Sequence, residues 1–124
     1  MHRILILTLC LMASVQAGAA FYSTAYLKQL IDSCNSLPDT FDASPENFAR
    51  VKDCGLSTGY ILGIYDELDV VADRTKCIPG TLSTAQAITV VENWIQNHPE
   101  RLQDSADKSV ESALNDAWSC PKQN

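Results

Sequence analysis

The sequence predicts an all-α protein, a compact bundle of about four main helices stapled by two disulfides. Apolar residues recur at the i, i+3, i+4 spacing of amphipathic helices, and no segment alternates with period two for long enough to indicate a strand. The chain of 124 residues is 46% hydrophobic and 19% charged, which is the balance of a single globular domain. Its five cysteines become an even four once a secretory signal is removed, which favours disulfides.

The first twenty residues have the three-part form of a secretory signal peptide. A short positive start is followed by the apolar run Ile4–Val15, which is 12 residues long, and then by small residues. Because about 20 apolar residues are needed to cross a bilayer, we expect cleavage after Ala19 or Ala20 and no membrane anchor. The expected domains are a cleaved signal over residues 1–20 and a single helical domain over residues 21–124.

The mature chain is expected to be acidic. Removal of the signal takes away one basic residue, so 8 basic and 15 acidic side chains remain and the formal charge changes from −6 to −7. Nucleic acids and anionic membranes are bound mainly through Lys and Arg side chains, so neither is expected as a partner of this acidic chain. A basic protein is still a possible partner. No later stretch of the sequence is long and apolar enough to be a membrane span.

The first two helices are predicted from caps and apolar stripes. Ser23 serves as the N-cap of a helix whose apolar stripe ends at Cys34. A loop rich in Ser, Pro, Asp and Asn is expected to follow. Ser44 then supplies a cap and Pro45 a first helical position, and this second helix is expected to run to about Ala72.

Three glycines lie inside the second predicted helix. Gly55, Gly59 and Gly63 are spaced by four and therefore share one helical face. Each glycine costs about 1 kcal/mol relative to alanine in a helix, so a packing reason is expected for them. Close packing against another helix of the same chain is the favoured interpretation, and a contact between subunits is the alternative.

Two further helices are predicted in the C-terminal half. Ser83 and Gln86 form a capping box at the start of the third helix, which ends near Asn97. Pro99 starts a short turn, because proline suits a first helical position. The last helix carries one apolar stripe over Ala106–Trp118.

The four remaining cysteines permit three pairings. We expect Cys34–Cys54, which joins the first helix to the second across a short loop. That leaves Cys77–Cys120, which ties the start of the third helix to the end of the last. The gaps of 20, 23 and 43 residues lack the close ligand pairs of a zinc site, so no metal is expected. On the chain-entropy model the two loops contribute on the order of 3 and 4 kcal/mol.

The mature chain offers little for catalysis. Its one histidine, His98, precedes a proline and is expected to cap a helix or turn rather than to activate a nucleophile. Asp66, Asp69 and Asp73 share a helical face without the glycine-containing loop of a calcium site. They indicate a solvated acidic face or a docking surface for a basic partner. The sequence therefore predicts no enzyme, no catalytic residue and no cofactor.

Several different short motifs follow one another through the C-terminal two thirds of the mature chain. They are Gly59–Asp66, Cys77–Pro79, Val90–Ile95, His98–Glu100 and Ala113–Cys120. In this order and spacing, with a signal peptide and a terminal cysteine, they resemble the Rap/Tai family of type VI secretion amidase immunity proteins. The resemblance covers about residues 54–120, whereas residues 21–53 match only in general form, as a helix with one cysteine before a loop.

This resemblance implies a periplasmic, all-helical protein, often a homodimer. Members of the family bind an injected peptidoglycan amidase and block its papain-like Cys-His cleft, which protects the producing cell. We expect the segment 66–82 to enter or cover that cleft, because it is densely charged and pinned at Cys77. The charged candidates for partner binding in this segment are Asp66, Glu67, Asp69, Asp73, Arg74 and Lys76.

Two other function classes stay open. A small periplasmic acid-stress chaperone is also helical and disulfide-bonded, and it should expose apolar surface and bind unfolded clients at low pH. A carrier of hydrophobic ligands needs a lined interior cavity, for which a domain of this size with Ala- and Gly-rich helix faces leaves little room.

Overall fold

A computed structural model describes residues 21–40, 42–71 and 82–118 of the chain. Over these residues the chain forms four α-helices and one short 3-10 helix, with an isolated antiparallel bridge and no strand. The predicted all-α class is therefore confirmed. The α-helices are α1 (Thr24–Asn35), α2 (Pro45–Val71), α3 (Thr84–Asn97) and α4 (Ala106–Ala117), and the 3-10 helix is Pro99–Arg101.

Side-chain caps fix the starts of α1 and α3 where the sequence predicts them. The Ser23 hydroxyl accepts a hydrogen bond from the Tyr26 N–H at 3.2 Å. At α3 the capping box is complete, since the Ser83 N–H donates to Gln86 Oε1 at 2.9 Å and the Gln86 N–H donates to the Ser83 hydroxyl at 3.2 Å. Caps of this kind contribute about 1 kcal/mol each, so local sequence alone determines these two boundaries.

The start of α2 is held by a small polar network. The Ser44 hydroxyl accepts from the Asn47 N–H at 3.2 Å, as expected of a cap. Asp42 Oδ1 accepts from the Ser44 N–H at 3.0 Å and from Asn47 Nδ2 at 2.7 Å. Hydrogen bonds from the Ser44 side chain and backbone, and then from Asn47, lower the pKa of the Asp42 carboxyl. The network anchors the loop between α1 and α2 to the first turn of α2.

All six pairs of helices are in contact, so the hydrophobic core lies at the centre of the bundle. Among the side chains that the structure describes, Ile61 is the one fully buried apolar residue from α2, although α2 is the longest of the described helices. The other helices supply most of the core, and burial of one such side chain is worth about 1.5–3 kcal/mol. The largest buried apolar residues are Leu27, Leu30, Ile31, Ile61, Val91, Ile95, Val110 and Leu114.

The N-terminus of α1 is tied to the segment that precedes α4. The Thr24 N–H donates to the Asp104 carbonyl at 2.8 Å, and the Ala25 N–H donates to the Leu102 carbonyl at 2.9 Å. The Thr24 hydroxyl also lies 2.7 Å from the Ser109 hydroxyl, where both side chains are fully buried. These contacts join the first helix of the bundle to the start of the last one, a feature that was not predicted from the sequence.

The predicted Cys34–Cys54 disulfide is confirmed. It joins the end of α1 to α2, with the two Cα atoms 4.4 Å apart. Cys77 and Cys120 lie outside the described residues, so their pairing stays a prediction. The same holds for the signal peptide, because residues 1–20 are also outside the described ranges.

The three glycines of α2 do not pack against any of the other helices that the structure describes. A Cβ atom added to Gly55, Gly59 or Gly63 has no heavy atom within 4 Å. The expectation of close packing within the chain is therefore wrong. The reason is helical geometry: Ile61 faces the core, and a residue two positions away is turned about 200° around the axis, toward solvent.

Within the described ranges, none of the helices is long and apolar enough to cross a membrane.

Candidate functional site

Three of the six predicted partner-binding residues lie at the C-terminal end of α2. Asp66 and Glu67 are both exposed and sit in the last turns of this helix. The backbone of Asp69 continues the helix, but its side chain lies outside the described part of the structure. The remaining three candidates, Asp73, Arg74 and Lys76, lie outside the described residues altogether.

Glu67 lines a groove between α2 and α4, which we name the acidic groove. Its other carboxylates are Asp107 and Glu111 of α4, and its apolar walls are Ile64 and Leu68. The volume of the groove is about 230 Å³. Three carboxylates beside apolar side chains suit the basic head and aliphatic stem of a lysine or arginine from a protein partner.

Two of these carboxylates were not predicted from the sequence as partner-binding residues. Asp107 and Glu111 are four residues apart and therefore lie on one face of α4. That spacing was available in the sequence, but nothing local indicated that this face would lie beside the end of α2. The acidic surface is thus assembled from two helices by tertiary packing.

Local hydrogen bonding favours the charged form of Asp107 in the acidic groove. A hydrogen bond from the Ser105 side chain lowers the pKa of the Asp107 carboxyl, and the neighbouring Lys108 acts in the same direction. Burial raises the pKa of Tyr60, and the charge of Asp107 raises it further. At neutral pH Asp107 is therefore an anion and Tyr60 a neutral phenol, so the two present a negative group beside an aromatic one.

Tyr60 also belongs to an aromatic cluster next to the groove. The ring of Tyr22 lies 5.0 Å from the rings of both Tyr26 and Tyr60, measured between centroids. Phe21 packs edge-on against Tyr22 at 6.3 Å and is itself 92% exposed. Tyrosine is enriched in binding hot spots, so the aromatic cluster and the acidic groove together form a surface suited to a protein partner.

The two predicted neighbours Asp66 and Glu67 lie on different faces of α2. Asp66 follows Gly59 by seven residues, which places it in line with the exposed glycines. Glu67 is turned about 100° further around the helix axis and lines the acidic groove with residues of α4. The charged residues at the end of α2 therefore belong to two different surfaces.

His98 has the capping role that the sequence predicts. It is the C-cap of α3, its Nδ1 donates to the Trp94 carbonyl at 2.7 Å, and its ring stacks on the indole with centroids 4.1 Å apart. The Trp94 Nε1–H donates to Asp116 Oδ2 at 2.8 Å, and the Arg101 guanidinium lies over the indole. The imidazole is therefore engaged in structure at the α3–α4 end of the bundle.

The part of the chain that the structure describes contains no group of three or more His, Cys, Asp or Glu side chains that could hold a metal ion.

Comparison with known proteins identifies the family of the chain. No curated protein matches the chain. The sequence profile of the Rap1a immunity proteins matches residues 26–120, which include most of α1 and all of α2, α3 and α4. The match also extends over residues 26–53, where the resemblance drawn from motifs was weakest. We therefore assign this chain to the Rap1a immunity protein family.

Proposed function

We propose that the chain is a periplasmic immunity protein that binds a cognate type VI secretion peptidoglycan amidase and inhibits it by occluding its active-site cleft. The observation that carries this proposal is family membership over residues 26–120. A Rap1a family member is an immunity protein that binds a toxin, and the amidase target and the occlusion of its cleft are the proposed part. The protein is proposed to act as an inhibitor and not as an enzyme.

The end of α2 is the proposed toxin-binding end. Glu67, Asp107 and Glu111 concentrate negative charge there, next to the aromatic cluster. The segment 66–82 begins in the last turns of α2 and carries the other charged candidates. Charge complementarity of this kind accelerates association with a basic surface and excludes like-charged partners. We propose that this segment enters or covers the amidase cleft while the acidic groove holds a basic side chain beside it.

Rigidity supports an inhibitory role. An inhibitor needs a surface that fits and fills a cleft, and binding is tighter when little of that surface has to be ordered on association. The Cys34–Cys54 bond and the contacts between all four helices hold the proposed binding end on a fixed scaffold. The predicted Cys77–Cys120 bond would restrain the segment 66–82 in the same way.

A disulfide also supports a location in the periplasm. Disulfides persist in oxidising compartments and are rare in the cytosol. Export through the predicted signal peptide would bring the chain to the compartment in which an injected peptidoglycan amidase acts.

Charge reversal at the binding end tests the proposed site. We expect Asp69→Lys/Asp73→Lys and Glu67→Lys/Glu111→Lys each to weaken binding to the cognate amidase by about tenfold or more. Binding is measured by titration calorimetry with the amidase. Glu100→Lys reverses an exposed carboxylate on the 3-10 helix and serves as the matched control. Unchanged affinity in both double variants would contradict the proposed site.

The alternative of a periplasmic acid-stress chaperone has one observation in its favour. Phe48, Val51 and Leu56 of α2 are 58%, 44% and 39% exposed, so apolar surface is available. A chaperone would suppress aggregation of unfolded clients at low pH, whereas an immunity protein would not. The carrier alternative is weaker, because the acidic groove is open and smaller than the roughly 300–1,000 Å³ typical of small-molecule sites.

A further inference from the structure

The first turns of α2 are much less buried than the rest of that helix. We name Pro45–Leu56 the arm of α2. Every residue of the arm is described, and none of them is a buried apolar side chain. The apolar side chains of α2 that pack in or against the core come after the arm, and they are Tyr60, Ile61, Ile64, Tyr65 and Leu68. Apolar burial, the main source of stability, therefore holds the later part of α2 but not the arm.

The end of the arm is joined to α1 by a covalent bond and a hydrogen bond. The Cys34–Cys54 disulfide connects the arm to the end of α1. One turn away, the Ser33 hydroxyl donates to Asp53 Oδ2 at 3.2 Å. A single partly exposed hydrogen bond contributes about a tenfold preference for the closed arrangement at most, so the disulfide is the stronger of the two attachments.

Two further polar contacts of the arm are local. Arg50 Nη2 lies 2.5 Å from Glu46 Oε1, an exposed ion pair within the arm itself. The buried side chain of the arm, that of Asn47, donates to Asp42 Oδ1 at 2.7 Å. Asp42 belongs to the loop between α1 and α2. These contacts link the arm to itself and to that loop, so they do not hold it against the core.

A weak point in α2 separates the arm from the buried part of the helix. Gly55 is a poor helix former. The Ser57 hydroxyl donates to the Cys54 carbonyl at 3.1 Å, and such a bond competes with the hydrogen bonds of the helix. Ser57 is itself only 1% exposed, so the buried part of α2 begins here. Unfolding that starts at the N-terminus of α2 can therefore stop near Gly55.

We infer that the Cys34–Cys54 bond is a redox latch: its reduction releases the arm by local unfolding, while the rest of the bundle stays folded. One thiolate of a dithiol reductant attacks a sulfur of the bond, and its second thiol resolves the mixed disulfide. Two cysteine thiols form, and the dithiol, which supplies two electrons and two protons, leaves as a disulfide. Both cysteines are half-buried, so a reductant can reach the bond.

The closed arm is thereby confined to oxidising compartments. Cysteines are kept reduced in the cytosol, whereas disulfides persist in the periplasm. The acidic groove and the aromatic cluster lie outside the arm, on the later part of α2 and on neighbouring segments, so reduction should leave them in place. This inference goes beyond the proposed inhibition of an amidase and is tested without any toxin, so either can fail while the other holds.

Limited digestion with trypsin, followed by mass spectrometry, gives the first test. The arm contains Arg50 and Lys52, and Lys28, Arg101 and Lys108 lie in other helices. Cleavage of a folded protein follows the population of locally open states. With dithiothreitol as the reductant, we expect cleavage after Arg50 and Lys52 to accelerate at least about tenfold. Cleavage at the other three sites should change by less than about twofold.

A pair of cysteine variants separates this bond from the predicted Cys77–Cys120 bond, which dithiothreitol would also reduce. Cys34→Ala/Cys54→Ala should open the arm without any reductant, with its two trypsin sites cleaved at least about tenfold faster than in the natural sequence. Cys77→Ala/Cys120→Ala is the matched control. It should keep the arm closed, because it leaves the Cys34–Cys54 bond in place.

Two glycine variants test where the unfolding stops. Gly55→Ala raises the helix propensity at the weak point, and the added Cβ meets open space. It should slow cleavage after Arg50 in the reduced protein by about fivefold. Gly63→Ala makes the same change in equally open surroundings, but in the later part of α2. This control should leave the rate of cleavage after Arg50 within about twofold of its original value.

Four results would overturn the inference. The two sites of the arm could stay as resistant after reduction as before, which would show that other contacts hold the arm. All five basic sites could be cleaved faster by similar factors, on reduction or in Cys34→Ala/Cys54→Ala, which would mean that the bond holds the whole bundle. Cys77→Ala/Cys120→Ala could open the arm as far as Cys34→Ala/Cys54→Ala does. Gly63→Ala could protect the arm as well as Gly55→Ala.

Discussion

Removal of the Cys34–Cys54 bond should destabilise the bundle by a calculable amount. The bond closes a loop with a sequence separation of 20 residues and ties the end of α1 to α2. The chain-entropy model then gives a loss of about 3 kcal/mol for Cys34→Ala/Cys54→Ala. For a domain of about 100 residues this corresponds to a fall in Tm of more than about 10 °C. The effect acts on the unfolded chain, which becomes free to explore more conformations.

Urea denaturation followed by circular dichroism measures this loss, with the denaturation slope compared between the two proteins. Gln29→Ala, an exposed change on α1, is the control and should alter the free energy of unfolding by less than about 0.5 kcal/mol. A loss below about 1 kcal/mol in the double alanine variant would refute the reasoning. It would mean that residual contacts between the α1 and α2 segments already hold them close together in the unfolded chain.

Three further predictions follow from buried or perturbed groups. Thr24→Val should cost about 1–3 kcal/mol, because the buried Ser109 hydroxyl loses its 2.7 Å partner; an unchanged urea midpoint would contradict this. Burial raises the pKa of Tyr60 above the ordinary tyrosine value of 10.0, so the stability linked to this shift is present below pH 10 and lost as the pH rises through the folded pKa; absorbance titration of Tyr60→Phe against the natural chain checks this. The pKa of Asp107 is lowered, so the stability that its carboxylate contributes is present above pH 3.8 and is lost as the pH falls through the folded pKa. Asp107→Asn should therefore reduce the fall of the melting temperature in acid.

Much of the fold was predictable because the signals were local. Ser23, Ser83 and Gln86 cap their helices through hydrogen bonds within three residues, so the boundaries could be assigned without tertiary information. The pairing of Cys34 with Cys54 follows the same logic, since only a short loop separates the two helices. The tie between Thr24 and the chain near Asp104 spans 80 residues, and no local pattern indicates it.

The glycines of α2 show where periodicity stops being informative. A spacing of four places three residues on one face, but it does not say whether that face points inward or outward. The answer depends on which side of α2 the other three helices occupy, and Ile61 marks that side. The expectation of intramolecular packing was wrong for this reason.

The candidate site was predictable only in part. The run of acidic residues identified Glu67, but its partners Asp107 and Glu111 come from α4 and meet it through tertiary packing. Sequence proximity also grouped Asp66 with Glu67, although one helical step of about 100° turns Asp66 away from the acidic groove. Asp66 and Glu67 were predicted to share one surface, but they lie on two different faces of α2.

Protection of the amidase's catalytic cysteine tests the central proposal most directly. A candidate peptidoglycan amidase of the proposed class would be mixed with increasing amounts of the purified protein, and both peptidoglycan hydrolysis and labelling of the amidase cysteine by a small thiol reagent would be measured. We predict that both fall together and reach zero near stoichiometric addition, because the cleft is filled. Full hydrolysis and full labelling at saturating protein would contradict the account.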